Sequence, residues 1–297
     1  MDTGSNWFDV TTGGGTHGMM PAADSTNELH FFIETGGTST TWGSLTVNRN
    51  GTAALGSATR KISAGAPQDG DTIDFFTWAT AGNASAFGSR GTAGSNVAGA
   101  NNETRGLMFG GWRGHCCSTA NNIEFITMDT TGNASSFGTS YAAQNAGASG
   151  NDTTSIFFGG SQWFGSGNMY QINNMQFVDI NTAGNATEFG NIQSSKNQGQ
   201  MGSNATRGLN GGGLDSTIGF VTFASLASAS TFGIWTEDRS TSCDNGVTCL
   251  GMGGSSPSTN CDQITIDTTG NATSFALTFN ADLSNTQYNS TNSYIAK

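Results

Sequence analysis

The chain has 297 residues, and its 21 acidic and 10 basic side chains give a formal net charge of −11. So few Lys and Arg residues, with no basic cluster, argue against nucleic-acid binding, because phosphate contacts need them. No apolar run reaches the roughly 18 residues of a membrane-spanning helix and no charged-then-apolar segment begins the chain, so we expect neither membrane insertion nor Sec-type export.

Six similar units follow one another along the chain, and each ends in an aromatic residue. The first, LHFFIETGGTSTTWG from Leu29, is one residue shorter than the clearest copies, such as IEFITMDTTGNASSFG from Ile123. The terminal aromatic residues, spaced 43 to 52 residues apart, are Trp42, Phe87, Phe137, Phe189, Phe232 and Phe275. A period of about 40–50 residues with several short strands is typical of a β-propeller. We predict an all-β, six-bladed β-propeller that forms a single domain over residues 1–297.

Each unit predicts four antiparallel strands in a fixed order, which the third unit illustrates. A small, polar strand at 96–99 is followed by a strand that begins after Thr104-Arg105 and ends at Gly110-Gly111. The third strand, Ile123–Met128, alternates its side chains between two faces, and the fourth is the short ASSFG segment at 134–138. The paired glycines allow the backbone to pass close to a neighbour where a Cβ atom would not fit.

Four units place a Gly-Asn pair between the third and fourth strands. The pairs are Gly82-Asn83, Gly132-Asn133, Gly184-Asn185 and Gly270-Asn271. Both residue types accept a positive φ, which a tight hairpin requires. The same asparagines also begin N-glycosylation sequons, such as NAS at Asn83 and NAT at Asn185. Recurrence at the same turn of four units favours the hairpin interpretation.

The order of strand, paired glycines, strand and terminal aromatic resembles the kelch repeat over nearly the whole chain. The sequence departs from that pattern because Phe stands where kelch repeats usually have Trp, and a regular Tyr before this aromatic is missing. Segments such as TRGLMFGG from Thr104 and TTGNASSFG from Thr130 look closer to the degenerate kelch-like repeats of structural and tail-fibre-like proteins of bacteriophages, especially marine ones.

This resemblance implies a virion protein that is exposed on the surface of the particle. It would be a capsid decoration or knob, or a tail-fibre-type subunit, and its partners would be other proteins of the capsid or tail. Contact with a host cell-surface glycan is a further expectation. Without a Sec signal, surface exposure would come from assembly into a particle that is released on lysis.

Both ends of the chain are predicted to close the ring in blade one. Trp7–Val10 with the following glycines looks like a second strand, and Asn285–Asn289 matches a first, innermost strand. Ser290–Lys297 also looks like a second strand, so it competes with Trp7–Val10 for one place. The sequence leaves open which of the two segments fills it.

The connections between the second and third strands vary most in length, as expected of recognition loops on a rigid scaffold. They are predicted to lie on the same face as the connections between blades, around the mouth of the ring. The candidate binding residues in these loops are His17, Met19, Met20, Trp112, Arg113, His115, Trp163, Phe164 and Tyr170. Aromatic, Arg and Met side chains outside any core pattern are typical of contact surfaces. The alternative is that the loops fold over the mouth and bury their own aromatic rings.

Two other functions remain open at this point. A carbohydrate-binding propeller would hold a glycan on Trp112, Trp163 and Tyr170 at the mouth. A glycan hydrolase would need two carboxylates about 5–10 Å apart, and no such pair stands out. Because nucleophile-elbow, zinc-protease and phosphate-loop motifs are also missing from the sequence, we predict no enzyme activity and no cofactor.

A metal site is not predicted either. His17, His115 and Cys116 are the residues that come closest to a ligand set, but their loops have no defined relative geometry. The five cysteines lack zinc-site spacing and are expected to be small buried side chains. A disulfide within the last unit, among Cys243, Cys249 and Cys261, remains an alternative.

Two recurring polar columns are interpreted as blade architecture. Arg60, Arg105 and Arg207 each stand just before a second strand, so we do not expect them to form an anion site. The alignment of the units places His30 in the same column as Asp74, Glu124, Gln176 and Asp262. We expect this column to face water or a neighbouring blade rather than a substrate.

Overall fold

The computed structural model is a six-bladed β-propeller built from small antiparallel sheets. It describes residues 8–9, 14–15, 17–21, 26–49, 51–66, 70–113, 118–164, 168–195, 202–213, 215–254, 260–279 and 289–292. Strands without helices make up the regular structure of this part of the chain. No helix in these ranges is long and apolar enough to cross a membrane.

Four blades contain the four predicted strands. Blade two comprises Ala53–Gly56, Arg60–Ala66, Gly70–Thr77 and Ser85–Ser89. Blade three comprises Ala98–Asn101, Arg105–Phe109, Asn122–Thr127 and Ser135–Thr139. Blade four comprises Gly147–Gly150, Thr154–Phe158, Asn174–Asp179 and Thr187–Asn191. Blade six, joined to blade two as described below, comprises Thr241–Asp244, Thr248–Met252, Cys261–Thr265 and Thr273–Phe275.

Blades one and five show three paired strands each. Blade one comprises His17–Pro21, Asn27–Phe32 and Thr40–Ser44, and blade five comprises Arg207–Asn210, Thr217–Thr222 and Ser230–Ile234. The predicted first strand of blade five, residues 198–202, lies almost wholly outside the described residues; Ser203, just beyond it, bridges to Gly208. Four shorter strands lie outside the blades: Phe8–Asp9 pairs with Gly14–Gly15, and Leu277–Thr278 pairs with Gly37–Thr38.

Burial falls from the axis of the ring to its rim. All four residues of Ala98–Asn101 in the innermost strand of blade three are buried, whereas most of Ser135–Thr139 in its outermost strand is exposed or half-buried. The inner strands are built of small residues because they are crowded against one another at the axis. The apolar clusters span adjacent blades, as where Leu107 and Phe109 of blade three pack with Phe157 and Val178 of blade four. The core therefore lies between blades.

The ring is closed by the C-terminal segment. Asn289–Asn292 pairs in parallel with the innermost strands of blade six, Thr241–Asp244, and blade two, Ala53–Gly56. It therefore lies at the innermost position of blade one and joins its two neighbours into one nine-stranded sheet. This confirms closure by the two ends of the chain, a few residues later than the predicted Asn285–Asn289.

The second strand of blade one is neither of the two predicted candidates. His17–Pro21 fills it, paired antiparallel with Asn27–Phe32. Ser290 instead belongs to the innermost strand Asn289–Asn292, and Phe8–Asp9 belongs to a separate two-stranded sheet. Both predictions for this strand are therefore wrong, because the terminal segment pairs with the neighbouring blades and not with blade one itself.

The Gly-Asn pairs join each blade to the preceding one. Asn133 Oδ1 accepts a hydrogen bond from Ser89 N at 3.0 Å, and Ala134 N donates to Ser89 O at 2.8 Å. The same pattern links Asn83 to Ser44 and Asn185 to Thr139, and in blade five Ser228 takes the place of Asn. We call this contact the inter-blade hook.

The predicted positive-φ hairpin at these pairs is wrong. None of the eight Gly-Asn residues has a φ in the left-handed region. In blade three the connection covers residues 128–134, too long for a tight two-residue turn. The asparagine is required for its side-chain hydrogen bond to the neighbouring blade, which the repeat pattern alone does not reveal.

The glycine after the terminal aromatic residue completes the hook. A Cβ atom on Gly138 would lie 1.9 Å from Gly184 O in the next turn, and one on Gly43 would lie 1.9 Å from Gly82 O. No side chain fits at this distance, so the neighbouring turn can approach only a glycine. The paired glycines after the second strand act as predicted: Gly110 has φ 58°, and its Cβ would lie 2.4 Å from Ala143 O.

The arginine column is blade architecture, as predicted. Arg105 lies over the ring of Phe125, with its Cζ 4.8 Å from the ring centroid, and donates to Ile180 O of the next blade at 2.9 Å. Arg60 and Arg207 make the corresponding contacts in blades two and five. Each guanidinium therefore joins a blade to its successor.

The acidic column faces the preceding inter-blade connection. Asp74 pairs with Arg49 at 2.8 Å, Glu124 with Arg90 at 3.0 Å, and Asp262 with Arg239 at 2.9 Å. All six of these side chains are buried. The column therefore faces the connection from the preceding blade. This agrees with the predicted alternative in which the column faces a neighbouring blade and not water.

His30 does not belong to this column, contrary to the alignment of the units. Gly43 pairs with Glu28, whereas its counterpart Gly88 pairs with Ile73. Blade one is therefore shifted by one residue, and His30 corresponds to the aromatic Phe75. The missing residue in the first unit caused the incorrect alignment.

Candidate functional site

The candidate site is formed by the segments between the second and third strands of blades three and four. In blade four a two-stranded hairpin, Ser161–Phe164 and Asn168–Gln171, is inserted there, and we call it the blade-four hairpin. In blade three Trp112 forms bridges to Ser95 and Thr119. These two insertions lie side by side in consecutive blades.

Both insertions are anchored to the connection that enters their blade. Trp112 N donates to Ser95 O at 2.7 Å, and Ser95 N donates to Trp112 O at 3.1 Å. In the same way, Ser161 N donates to Gln144 O at 2.9 Å, and Gln144 N donates to Ser161 O at 3.0 Å. The prediction that these segments share a face with the inter-blade connections is therefore confirmed for blades three and four.

The register of the blade-four hairpin separates its side chains onto two faces. Trp163 pairs with Met169, and Gln162 pairs with Tyr170. Because side chains alternate along a strand, Trp163 and Met169 lie on one face, and Gln162 and Tyr170 lie on the other. One sugar ring cannot stack on Trp163 and Tyr170 together, so the predicted three-aromatic glycan site is not assembled as expected.

The two faces differ in their environment. On the first, Gln144 Nε2 contacts Met169 Sδ at 3.4 Å, and Trp163 is half-buried. On the second, Tyr170 is 54% exposed, with the half-buried amide of Gln162 opposite it. The first face thus turns toward the ring, whereas the second presents an aromatic ring and amide groups to solvent. Met169 is also 45% exposed. It was not among the candidate residues, and its pairing with Trp163 is what places it at the site.

The blade-three segment adds a partly accessible aromatic and a charge. Trp112 is half-buried and Arg113 is exposed. Arg113 N donates to Ser118 O at 3.2 Å, which closes the base of the loop. His115 and Cys116, together with the side chain of Phe164, lie outside the described residues. Trp112 and Trp163 thus fit the self-packing alternative in part, whereas Arg113 and Tyr170 fit a contact surface.

The structure places His17, Met19 and Met20 in a strand and not in a mouth loop. All three are buried: Met20 packs in the cluster between blades one and six, and Met19 packs with Leu45 and Phe76. The loop assignment is therefore wrong. It failed because the small and polar residues around this strand hide its alternation.

His17 and His30 form a buried pair in blade one. His17 occupies the position of the column arginine, and His30 occupies that of the aromatic ring beneath it. Their ring centroids are 4.8 Å apart, and His17 Nδ1 lies 2.5 Å from His30 Nε2. Burial lowers the pKa of His30 to about 4, so at neutral pH an uncharged His30 ring replaces the Phe ring on which the arginine of other blades stacks.

The three cysteines of blade six are free and buried. Burial raises the pKa of each thiol, so they are inert, small apolar side chains. The expectation of buried hydrophobic residues is confirmed for Cys243, Cys249 and Cys261, and the disulfide alternative is wrong. Within the part of the chain that the structure describes, no group of three or more His, Cys, Asp or Glu residues is arranged to hold a metal ion.

A second concave feature lies away from the mouth. A cavity of about 180 Å³ separates the rim of blade two from the turn of blade three and is lined by residues that include Phe87, Phe125 and Asn133. Small-molecule sites usually measure about 300–1,000 Å³, so this cavity is too small for most ligands. It is best explained as a gap beside the inter-blade hook.

Comparison with known proteins identifies no family: no family model matches the sequence, and no curated protein is detectably similar to it. The chemistry of the candidate site must therefore be argued from its own groups. The described mouth residues offer aromatic rings, amides, a thioether and one guanidinium. The aromatic rings can stack on a ligand, and the amide and guanidinium groups can donate hydrogen bonds to it.

Proposed function

We propose that this chain is a non-enzymatic structural protein of a bacteriophage virion, either a capsid decoration or a tail-fibre-type subunit. Its role is to present the blade-four hairpin and the neighbouring Trp112–Arg113 segment for contact with another virion protein or the host surface. The observation that carries this proposal is the exposed hairpin, which is anchored to a ring of tightly joined blades. The kelch-like repeat pattern supports the virion assignment.

Presentation by a rigid scaffold suits a contact function. The hooks and the arginine column join neighbouring blades through backbone hydrogen bonds, so the hairpin is held in one orientation. A preorganised surface loses little conformational entropy on binding. Tyr and Met, the exposed large side chains of the hairpin, are residue types enriched where proteins contact partners.

Intact virions that carry an epitope-tagged copy of this chain provide the test. Immunogold labelling should decorate the capsid or the tail, and unlabelled particles beside labelled free protein would contradict the assignment. A variant that replaces residues 161–171 with a short connection like that of blade five, residues 211–216, should fold but lose particle association or host adsorption. Retention of both would contradict the role of the hairpin.

Carbohydrate binding is the second candidate, and the outer face of the hairpin favours it. An exposed tyrosine ring beside the amide of Gln162 is suited to stack on a sugar and bond its hydroxyls. A glycan array with wild type and Tyr170→Ala tests this candidate. Ile234→Ala is the matched control, because Ile234 is similarly exposed at 47% but lies in the outermost strand of blade five. Binding that only Tyr170→Ala removes would support a glycan site.

A further inference from the structure

A lysine and a glutamate meet in the interior between blades one and two. Lys61 Nζ contacts Glu28 Oε1 directly and donates to Ser63 Oγ at 2.6 Å. Glu28 is 0% exposed and Lys61 is 3% exposed, and the ammonium group lies 5.8 Å from the centroid of the Phe76 ring. An amine and a carboxyl group are thus held together in a site that excludes bulk water.

This pair differs from the other buried ion pairs among the described residues. Asp74, Glu124 and Asp262 are each paired with an arginine, which stays charged and is not a nucleophile. Glu28 has a lysine partner, and a lysine amine, unlike a guanidinium, becomes a nucleophile when it loses its proton. The Oε2 atom of Glu28 accepts no hydrogen bond from any described residue.

Burial favours the uncharged forms of both groups. Desolvation raises the pKa of Glu28 and lowers that of Lys61, and their mutual attraction opposes both changes only in part. Arg49 and Asp74 of the adjacent ion pair add weaker contributions of opposite sign. A neutral amine beside a protonated carboxyl group is the protonation state from which an amide bond can form.

We propose that Lys61 and Glu28 form an intramolecular isopeptide bond that links blade two to blade one. The Lys61 Nζ lone pair attacks Glu28 Cδ and forms the C–N bond. The Cδ–O bond then breaks, and the hydroxyl leaves with one proton of the amine as water. No oxidant or co-reactant is needed. Reacting groups held in contact have a high effective concentration, which replaces an external catalyst.

The bond would reinforce the blade at which the ring is closed. Blade one has no innermost strand of its own; the C-terminal segment lies there and pairs with blades two and six. A covalent link from Asn27–Phe32 to Arg60–Ala66 would hold blade one in place independently of that segment. The three described cysteines are free, so no disulfide among them serves this purpose.

Intact mass spectrometry of the denatured full-length protein tests the proposal. The expected mass is lower than that of the linear chain by one water molecule, and a digest should contain a branched peptide that joins the segments of Glu28 and Lys61. A wild-type protein with the full linear mass would overturn the proposal, and the pair would then be an ordinary buried ion pair.

Lys61→Arg is the matched control, because it keeps the charge and reproduces the Arg–carboxylate pairing of the other blades. It should have the full linear mass. A loss of water that persists in Lys61→Arg would arise elsewhere in the chain and contradict the proposal. In Glu28→Gln the same amide can form with release of ammonia, so its product should match the wild-type product in mass.

Discussion

Blade three and blade one fill the same positions of the sheet with different chemistry. In blade three Arg105 lies 4.8 Å from the Phe125 ring centroid, and in blade one His17 lies 4.8 Å from the ring centroid of His30. Blade three has an apolar Ile123 where blade one has the buried acid Glu28. Blade three also has its own innermost strand, whereas blade one depends on the C-terminal segment. Blade one, where the ring closes, therefore has His17, His30 and Glu28 at the positions where blade three has Arg, Phe and Ile.

The joints between blades are more uniform than the blades themselves. The inter-blade hook, in which the turn of the next blade approaches a glycine, recurs at Gly43 of blade one and at Gly138 of blade three. Side chains on the second and third strands vary widely under this common constraint. The following predictions test first what the two blades share and then where they differ.

The largest effect is expected at the shared hook. Gly138→Ala places a Cβ atom 1.9 Å from Gly184 O and should destabilise the fold by about 3 kcal/mol, because backbone atoms must move. Gly43→Ala should cost a similar amount. Gly132→Ala is the control: nothing lies within 4 Å of its Cβ position, and we expect a change within about 0.5 kcal/mol. Denaturant unfolding measures all three, and equal stabilities would contradict the hook.

Asp244 should make stability fall as the pH rises. It occupies the end of the innermost strand of blade six, where blade three has Asn101. Desolvation raises its pKa from 3.8 to about 8 against hydrogen bonds from Gly246 N and Ser203 N. The folded chain therefore holds a proton between these pH values that the unfolded chain has lost, so unfolding free energy declines across this range. Asp244→Asn, which imitates blade three, should remove the decline; an unchanged pH profile would contradict the assignment.

His30 should have the opposite pH dependence. Burial lowers its pKa from 6.5 to about 4, so the unfolded chain takes up a proton first and stability is lost as the pH falls through this range. His30→Phe restores the residue type of blade three at this position. We expect it to flatten the acid limb of a thermal-unfolding series between pH 6.5 and 4. An acid limb of the same depth in His30→Phe would exclude His30 as the group responsible.

The smallest effect is expected at an exposed hydrogen bond of the hook. Asn133→Ala removes the acceptor for Ser89 N and should cost about 0.5–1 kcal/mol. Asn133→Ser should be milder, because Ser228 Oγ makes the equivalent contact to Asn191 N in blade five. Denaturant midpoints compare the two variants, and a Ser variant weaker than the Ala variant would disprove this equivalence.

Much of the fold follows from the sequence, within limits that particular residues define. The alternation of Ile123–Met128 predicts the third strand within one residue, and the arginine column is correctly assigned to architecture. The innermost strand of blade three begins at Ala98 and not at residue 96, because small polar residues give no alternating signal. Blade one is misaligned by one residue because its shortened turn shifts the pattern, which places His30 in the wrong column.

The arrangement of the candidate site is harder to predict from the sequence than the fold is. Trp112, Arg113, Trp163 and Tyr170 lie in the expected segments, but the separation of Trp163 from Tyr170 depends on the hairpin register. The sequence places His17, Met19 and Met20 in a loop because the small and polar residues around them hide the alternation of a strand. Their burial results from pairing with Asn27–Phe32, a contact that no local pattern encodes.

The repeating units by themselves determined the number of blades, the order of strands and the small residues at the axis, because strand periodicity and side-chain size are local properties. Only the tertiary structure decided how the blades join: which turn approaches which glycine, which carboxylate meets Lys61, and where the C-terminal segment inserts. These contacts connect residues tens of positions apart, and their geometry depends on the curvature of the closed ring.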